Sequence, residues 1–121
     1  MEKVFIVEDD ECTLKLYELI LDRYGYKIIG IARNGQEALE IFKTLEDKPD
    51  LIIMDYFLPI KDRLTTIKEL INLDRNLKII MIFGEDSIKN KAYLAGALSF
   101  IKKPFTIKYF IKKISKVIKK K

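Results

Sequence analysis

The feature that most constrains this chain is a set of short, β-branched-rich apolar runs that each end on charged groups. Val4-Phe5-Ile6-Val7 runs into Glu8 and Asp9, Leu51-Ile52-Ile53-Met54 into Asp55, and Ser99-Phe100-Ile101 into Lys102 and Lys103. Runs of this length between helical patterns read as central strands of a parallel sheet, buried on both faces. In such sheets ligands bind beyond the carboxyl ends of the strands. Three carboxylates and a lysine gathered there form a small acidic pocket with one cationic wall, which suits a hard cation.

Strand-like and amphipathic segments alternate five times, with no internal repeat and no low-complexity linker. The spacing predicts a first strand over about Lys3 to Glu8 and a helix from about Glu11 to Tyr24, with Leu14, Leu16, Tyr17, Ile20 and Leu21 as its apolar stripe. Gly25 stands where a helix stop belongs. A second strand over about Lys27 to Ala32 leads through Asn34-Gly35 to a helix carrying Ala38, Leu39, Ile41, Phe42 and Leu45, ahead of Pro49. The third strand, about Asp50 to Met54, precedes a helix over about Leu64 to Leu73, and the fourth, Lys78 to Phe83, precedes a weakly amphipathic helix from Ser87, its N-cap, to about Gly96. A short fifth strand, Leu98 to Lys102, passes through Pro104 to a last helix bearing Ile107, Phe110, Ile111, Ile114, Val117 and Ile118. Five consecutive strand-helix units imply right-handed crossovers and an α/β sheet covered on both sides.

At 121 residues the chain is expected to form one domain, residues 1–121, with a real hydrophobic core. A single cysteine, Cys12, rules out a disulfide framework and is read as a small packing residue; no signal-peptide pattern or 18-residue apolar span is present, so the expected compartment is the cytoplasm. Histidine is absent. That excludes imidazole-ligated zinc, Ser-His-Asp and Cys-His nucleophiles and imidazole general bases, and any phosphohistidine must come from another protein. The charge is divided along the chain: residues 1–86 hold all 18 acidic and 12 basic residues, whereas residues 87–121 hold 11 lysines and no acid. A positive surface of this kind attracts acidic partners, unless it is only a solvated lysine-rich helix face.

The whole chain resembles the receiver domain of bacterial and archaeal two-component response regulators, a flavodoxin-like, CheY-like module. The resemblance rests on Val7-Glu8-Asp9-Asp10 after the first strand, Met54-Asp55-Tyr56-Phe57-Leu58-Pro59 after the third, Gly96-Ala97 before the fifth and Lys103-Pro104-Phe105 after it. It implies a doubly wound five-stranded parallel sheet in the order 2-1-3-4-5. It also implies a magnesium (or manganese) site formed by Glu8, Asp9, Asp55 and the backbone carbonyl of Phe57, with Asp9 the more direct ligand and Glu8 acting partly through water. Asp55 is the expected nucleophile and site of phosphorylation, attacking a phosphohistidine on a sensor histidine kinase or phosphotransfer protein. The metal and Lys103 would neutralise the loose transition state, so the protein assists its own phosphotransfer without being an enzyme. Pro104 is the candidate cis proline. Either aspartate alone would read as a helix cap or turn residue, and that plainer reading holds for Asp10, Glu11 and Asp62. Strand alternation places Lys102 opposite Lys103, facing solvent.

Two departures from the family pattern bear on function. Where receivers carry a threonine or serine at the end of the fourth strand, this chain has Phe83, which cannot donate a hydrogen bond to a phosphoryl group, and the family's coupling to the aromatic residue of the fifth strand, here Phe100, is put in doubt. Arg63 stands where glycine is usual, and with Lys61 it either guides a phosphate or decorates a loop. Two readings follow: a working phosphoacceptor, or an atypical receiver retained as a protein-docking module with weak or uncoupled phosphorylation. In either, output passes to a downstream protein at the face of the fourth helix, fifth strand and last helix, where the lysines gather. A monomer or weak homodimer is expected, and no base-reading motif argues for nucleic acid. Position 57 is Phe, not the second aspartate of a haloacid-dehalogenase-type phosphatase, and the acidic turn after the first strand would repel a dinucleotide pyrophosphate.

Overall fold

The computed structural model describes residues 2–55, 60–84 and 95–120; of residues 60–62 only the backbone is described. Five strands, β1 (Lys3–Val7), β2 (Lys27–Ala32), β3 (Leu51–Met54), β4 (Ile79–Phe83) and β5 (Ser99–Lys102), pair in parallel in the order β2-β1-β3-β4-β5, the order expected from the sequence. Four helices among the described residues connect or follow them: α1 (Glu11–Arg23), α2 (Gly35–Thr44), α3 (Ile60–Leu73) and α4 (Ile107–Lys119). The helix expected from Ser87 lies almost wholly outside the described residues, as does its proposed cap.

Side-chain alternation sorts the sheet into two cores. Val4, Ile6, Leu51, Ile53, Ile80, Ile82 and Ile101 pack against Leu14, Tyr17, Ile20 and Leu21 of α1 and Phe110, Ile114 and Val117 of α4. Their neighbours Phe5, Val7, Ile52, Met54, Ile79, Met81, Phe83 and Phe100 pack against Ala38 and Phe42 of α2 and Ile67 and Leu70 of α3. From Val4 onward in β1, and throughout β3 and β4, every position is therefore apolar, which is why these strands read as continuous runs.

The helix starts follow from short polar side chains that take orphan N–H groups. Asp10 accepts from the Thr13 amide and hydroxyl, Asn34 from the Glu37 amide and Thr106 from the Tyr109 amide. At the far end of α4, the Lys78 ammonium donates to the carbonyls of Ile118, at 2.7 Å, and Lys120, satisfying acceptors the helix leaves open.

Three local expectations are corrected. Helix α3 begins at Ile60, ahead of the apolar spacing that starts at Leu64, because Lys61, Asp62 and Arg63 leave Ile60 outside any continuous apolar period. Leu16 is half-exposed and outside the α1 stripe: at 100° per residue it lies about 200° from Leu14. Cys12 is likewise exposed, so it is not a packing residue.

Gly96 precedes β5 with φ of +119°, and a methyl group there would meet Ile71 Cγ1 of α3 at 2.7 Å. Both the backbone conformation and the close helix approach demand glycine. Gly96→Ala is expected to lower stability by more than about 1 kcal/mol in urea unfolding. Gly84→Ala, where the added methyl meets nothing within 4 Å, should stay within about 0.5 kcal/mol of the parent.

Candidate functional site

The same alternation that sorts the cores assembles the pocket. Val4 and Ile6 face α1 and α4, so Glu8 continues that face; Leu51 and Ile53 do likewise, so Asp55 follows; Ile101 does so ahead of Lys103. Sheet hydrogen bonding continues one residue past the strands and fixes these positions: Glu8 N–H donates to Ala32 O at 2.9 Å, Asp55 N–H to Val7 O at 2.7 Å and Lys103 N–H to Phe83 O at 2.8 Å.

Asp55 is only 6% exposed, and both carboxylate oxygens are engaged. Oδ1 pairs with Lys103 Nζ at 2.9 Å, and Oδ2 accepts from the Tyr17 hydroxyl at 2.5 Å. Lys103 itself remains half-exposed, so its ammonium can meet an incoming anion. The Lys103–Pro104 peptide is cis.

Glu8 is 3% exposed and its Oε2 is buried without a hydrogen-bond partner among the described residues. Burial first, and then the nearby Asp55 charge, push its carboxyl up from 4.5 to about 8, against the opposing pull of Lys103 and the Asp10 amide; Asp9 adds to the rise. Asp9 is solvent-exposed at the rim of this acidic group. Among the described residues no three acidic or thiol side chains are grouped so as to hold a metal ion between them. Magnesium does not need such a grouping, since it keeps several waters and typically takes one or two protein carboxylates. An orphaned, buried carboxylate oxygen beside a second carboxylate fits such a cation, because the ion supplies both the missing partner and the missing positive charge.

Phe57 lies outside the described residues, and so does the loop around it. Asp10 caps α1, its carboxyl drawn below the ordinary range by the Thr13 hydroxyl and amide. Phe83 is buried in the core on the α2 and α3 face, edge-on to Phe100 with ring centroids 5.8 Å apart. Arg63, in the first turns of α3, is partly buried, with an Nε that finds no hydrogen-bond partner among the described residues.

Tyr17 is the functional-site residue that sequence periodicity absorbed into packing. It is a core position by spacing, and 1% exposed, yet its hydroxyl must find a partner once buried. That partner is Asp55. Burial and the Asp55 charge push the phenol further above its ordinary range, so it stays protonated and donates.

The sequence model of the response regulator receiver domain matches residues 4–115. The chain is 36% identical over 120 residues to the chemotaxis protein CheY of Thermotoga maritima, covering 98% of each. A putative response regulator from Chloroflexus aurantiacus superposes with a TM-score of 0.84 at 31% identity over 98% of both chains. The CheX-CheY-BeF3-Mg2+ complex of Borrelia burgdorferi gives a TM-score of 0.88 at 28% identity, over 98% of this chain and 90% of that one.

Glu8 carries a stability signature. With its folded value near 8 and its ordinary value 4.5, the folded protein retains a proton that the unfolded chain releases in between. Its contribution is therefore full below 4.5 and lost as pH rises through about 8. In chelator, the thermal midpoint of the parent should fall across this window relative to Glu8→Gln, which has no such proton. Parallel midpoint curves for the two proteins would contradict the buried, proton-holding Glu8.

Proposed function

Because the chain belongs to the response regulator receiver domain family, we propose that it takes a phosphoryl group on Asp55 from a phosphohistidine on a sensor histidine kinase or phosphotransfer protein. The observation that carries this reading is the nearly buried Asp55, paired to Lys103 at 2.9 Å beside the orphaned Glu8 oxygen. A carboxylate oxygen of Asp55 attacks phosphorus, the phosphorus–nitrogen bond breaks, and the donor imidazole leaves as the acyl phosphate forms. Lys103 offsets charge on the phosphoryl oxygens as a flexible point cation. Residues 1–121 contain no histidine, so the phosphohistidine lies outside them.

Magnesium would be held by Asp55, Asp9 and Glu8, with the Phe57 carbonyl as a further donor, and would supply positive charge to the phosphoryl oxygens. The Borrelia burgdorferi relative, solved with Mg2+, BeF3 and the protein CheX, supports both a metal and a protein partner in this reading. Output passes to a protein through the lysine-rich surface of β5, α4 and the residues before β5. No described helix is long and apolar enough to cross a membrane, and phosphotransfer from a kinase inside the cell puts the working compartment in the cytoplasm.

A docking module with uncoupled phosphorylation is the second reading, and Phe83 favours it. A buried phenyl at the end of β4 offers no hydroxyl to a phosphoryl group.

Incubation with magnesium and acetyl phosphate should add one phosphoryl mass to the protein, and Asp55→Asn should abolish it. A parent protein that takes no adduct under these conditions would leave the docking reading in its place. Phe83→Thr, which restores a donor worth about 1.5–3 kcal/mol to a charged group, should raise adduct yield or lifetime by about tenfold or more. Unchanged yield and lifetime would mean that the missing hydroxyl is no brake.

A further inference from the structure

The buried Tyr17 hydroxyl joins the acceptor carboxylate to an aromatic stack that runs to the surface. Tyr17 lies against Phe110 of α4 with centroids 5.3 Å apart and planes 13° apart, and Phe110 lies against Phe105 at 5.3 Å and 18°. Phe105 in turn lines a surface cavity of about 510 Å3 with Lys102, Pro104, Thr106 and Tyr109. One continuous set of contacts therefore runs from Asp55 Oδ2 to the wall of that cavity.

We propose that Tyr17 is a positioning residue that couples the charge on Asp55 to α4 and Phe105, in place of the hydroxyl that β4 lacks. The identification of phosphorylation as the input rests on the acceptor reading above. While Asp55 is a carboxylate, its bond from Tyr17 is charge-assisted and holds the ring on Phe110. Conversion of the carboxylate to an acyl phosphate leaves only an uncharged carbonyl or ester oxygen, and the bond drops to the weaker neutral kind. The two states of Asp55 thus differ in how firmly Tyr17 is held, which is the differential interaction a population shift requires. The route lies on the α1 and α4 side of the sheet, opposite Phe83 and Phe100, so a phenylalanine at the end of β4 does not interrupt it.

The coupling is testable without phosphorylation, because Asp55→Asn removes the same charge at nearly the same shape. Ring signals of Phe105 and Phe110 are recorded by NMR in phenylalanine-labelled parent, Asp55→Asn, Tyr17→Phe and the double variant. Asp55→Asn should shift both residues in the Tyr17 background, and the shifts should collapse in the Tyr17→Phe background. Equal shifts in both backgrounds would mean that the effect travels through Lys103 and the Pro104 backbone, and would overturn the proposal, as would the absence of any shift. Phe110→Leu keeps the hydroxyl and removes the stack; a Phe105 shift that persists there would also overturn it. A parent protein that takes no phosphoryl adduct while showing Tyr17-dependent shifts would sink the acceptor reading and uphold the coupling.

Discussion

Everything at the working end of this molecule depends on the period-two alternation of side chains along a parallel sheet. Residues that fill the α1 and α4 core, carried forward by two positions, become Glu8, Asp55 and Lys103. A slip of one residue in any of the three strands would send its charged group to the opposite face. The dense apolar packing of both cores is what forbids such a slip, since it would exchange one complete set of packed side chains for the other.

The electrostatic consequence is a pocket held short of balance. One lysine at 2.9 Å answers one carboxylate, while Glu8, with its buried Oε2, has no such partner among the described residues. Burying a second negative group next to the first is costly, and the site meets the cost by holding a proton at Glu8. Tyr17 contributes from below as a neutral donor, which steadies Asp55 without adding charge. The pocket is therefore stiff on the core side and open on the solvent side, where Lys103 remains half-exposed.

The fold was legible because its signals are local and repeated. Continuous apolar runs marked β1, β3 and β4, the Asn34-Gly35 turn marked the approach to α2, and Gly25 marked the end of α1, where it takes φ of +85°. The start of α3 was not legible, because Ile60 to Arg63 carries no apolar period. Leu16 and Cys12 misled for a related reason: apolar content was counted where angular position decides burial. At the pocket, the charged residues announced themselves at strand ends. Tyr17 did not, because a tyrosine at a core position of a helix is indistinguishable by pattern from a phenylalanine. Only the three-dimensional placement of its hydroxyl against Asp55, 38 positions away in sequence, gives it a role.

The Lys78 clamp on the last carbonyls of α4 bears on how that helix can move. Fastened to the start of β4 at one extremity and resting on stacked rings at the other, α4 is mechanically a lever with its fulcrum far from the acceptor. A rod pinned at its tail can tilt only about that tail, so the longer arc belongs to the turn of Thr106 and Tyr109, which borders the stacked rings of Phe105 and Phe110.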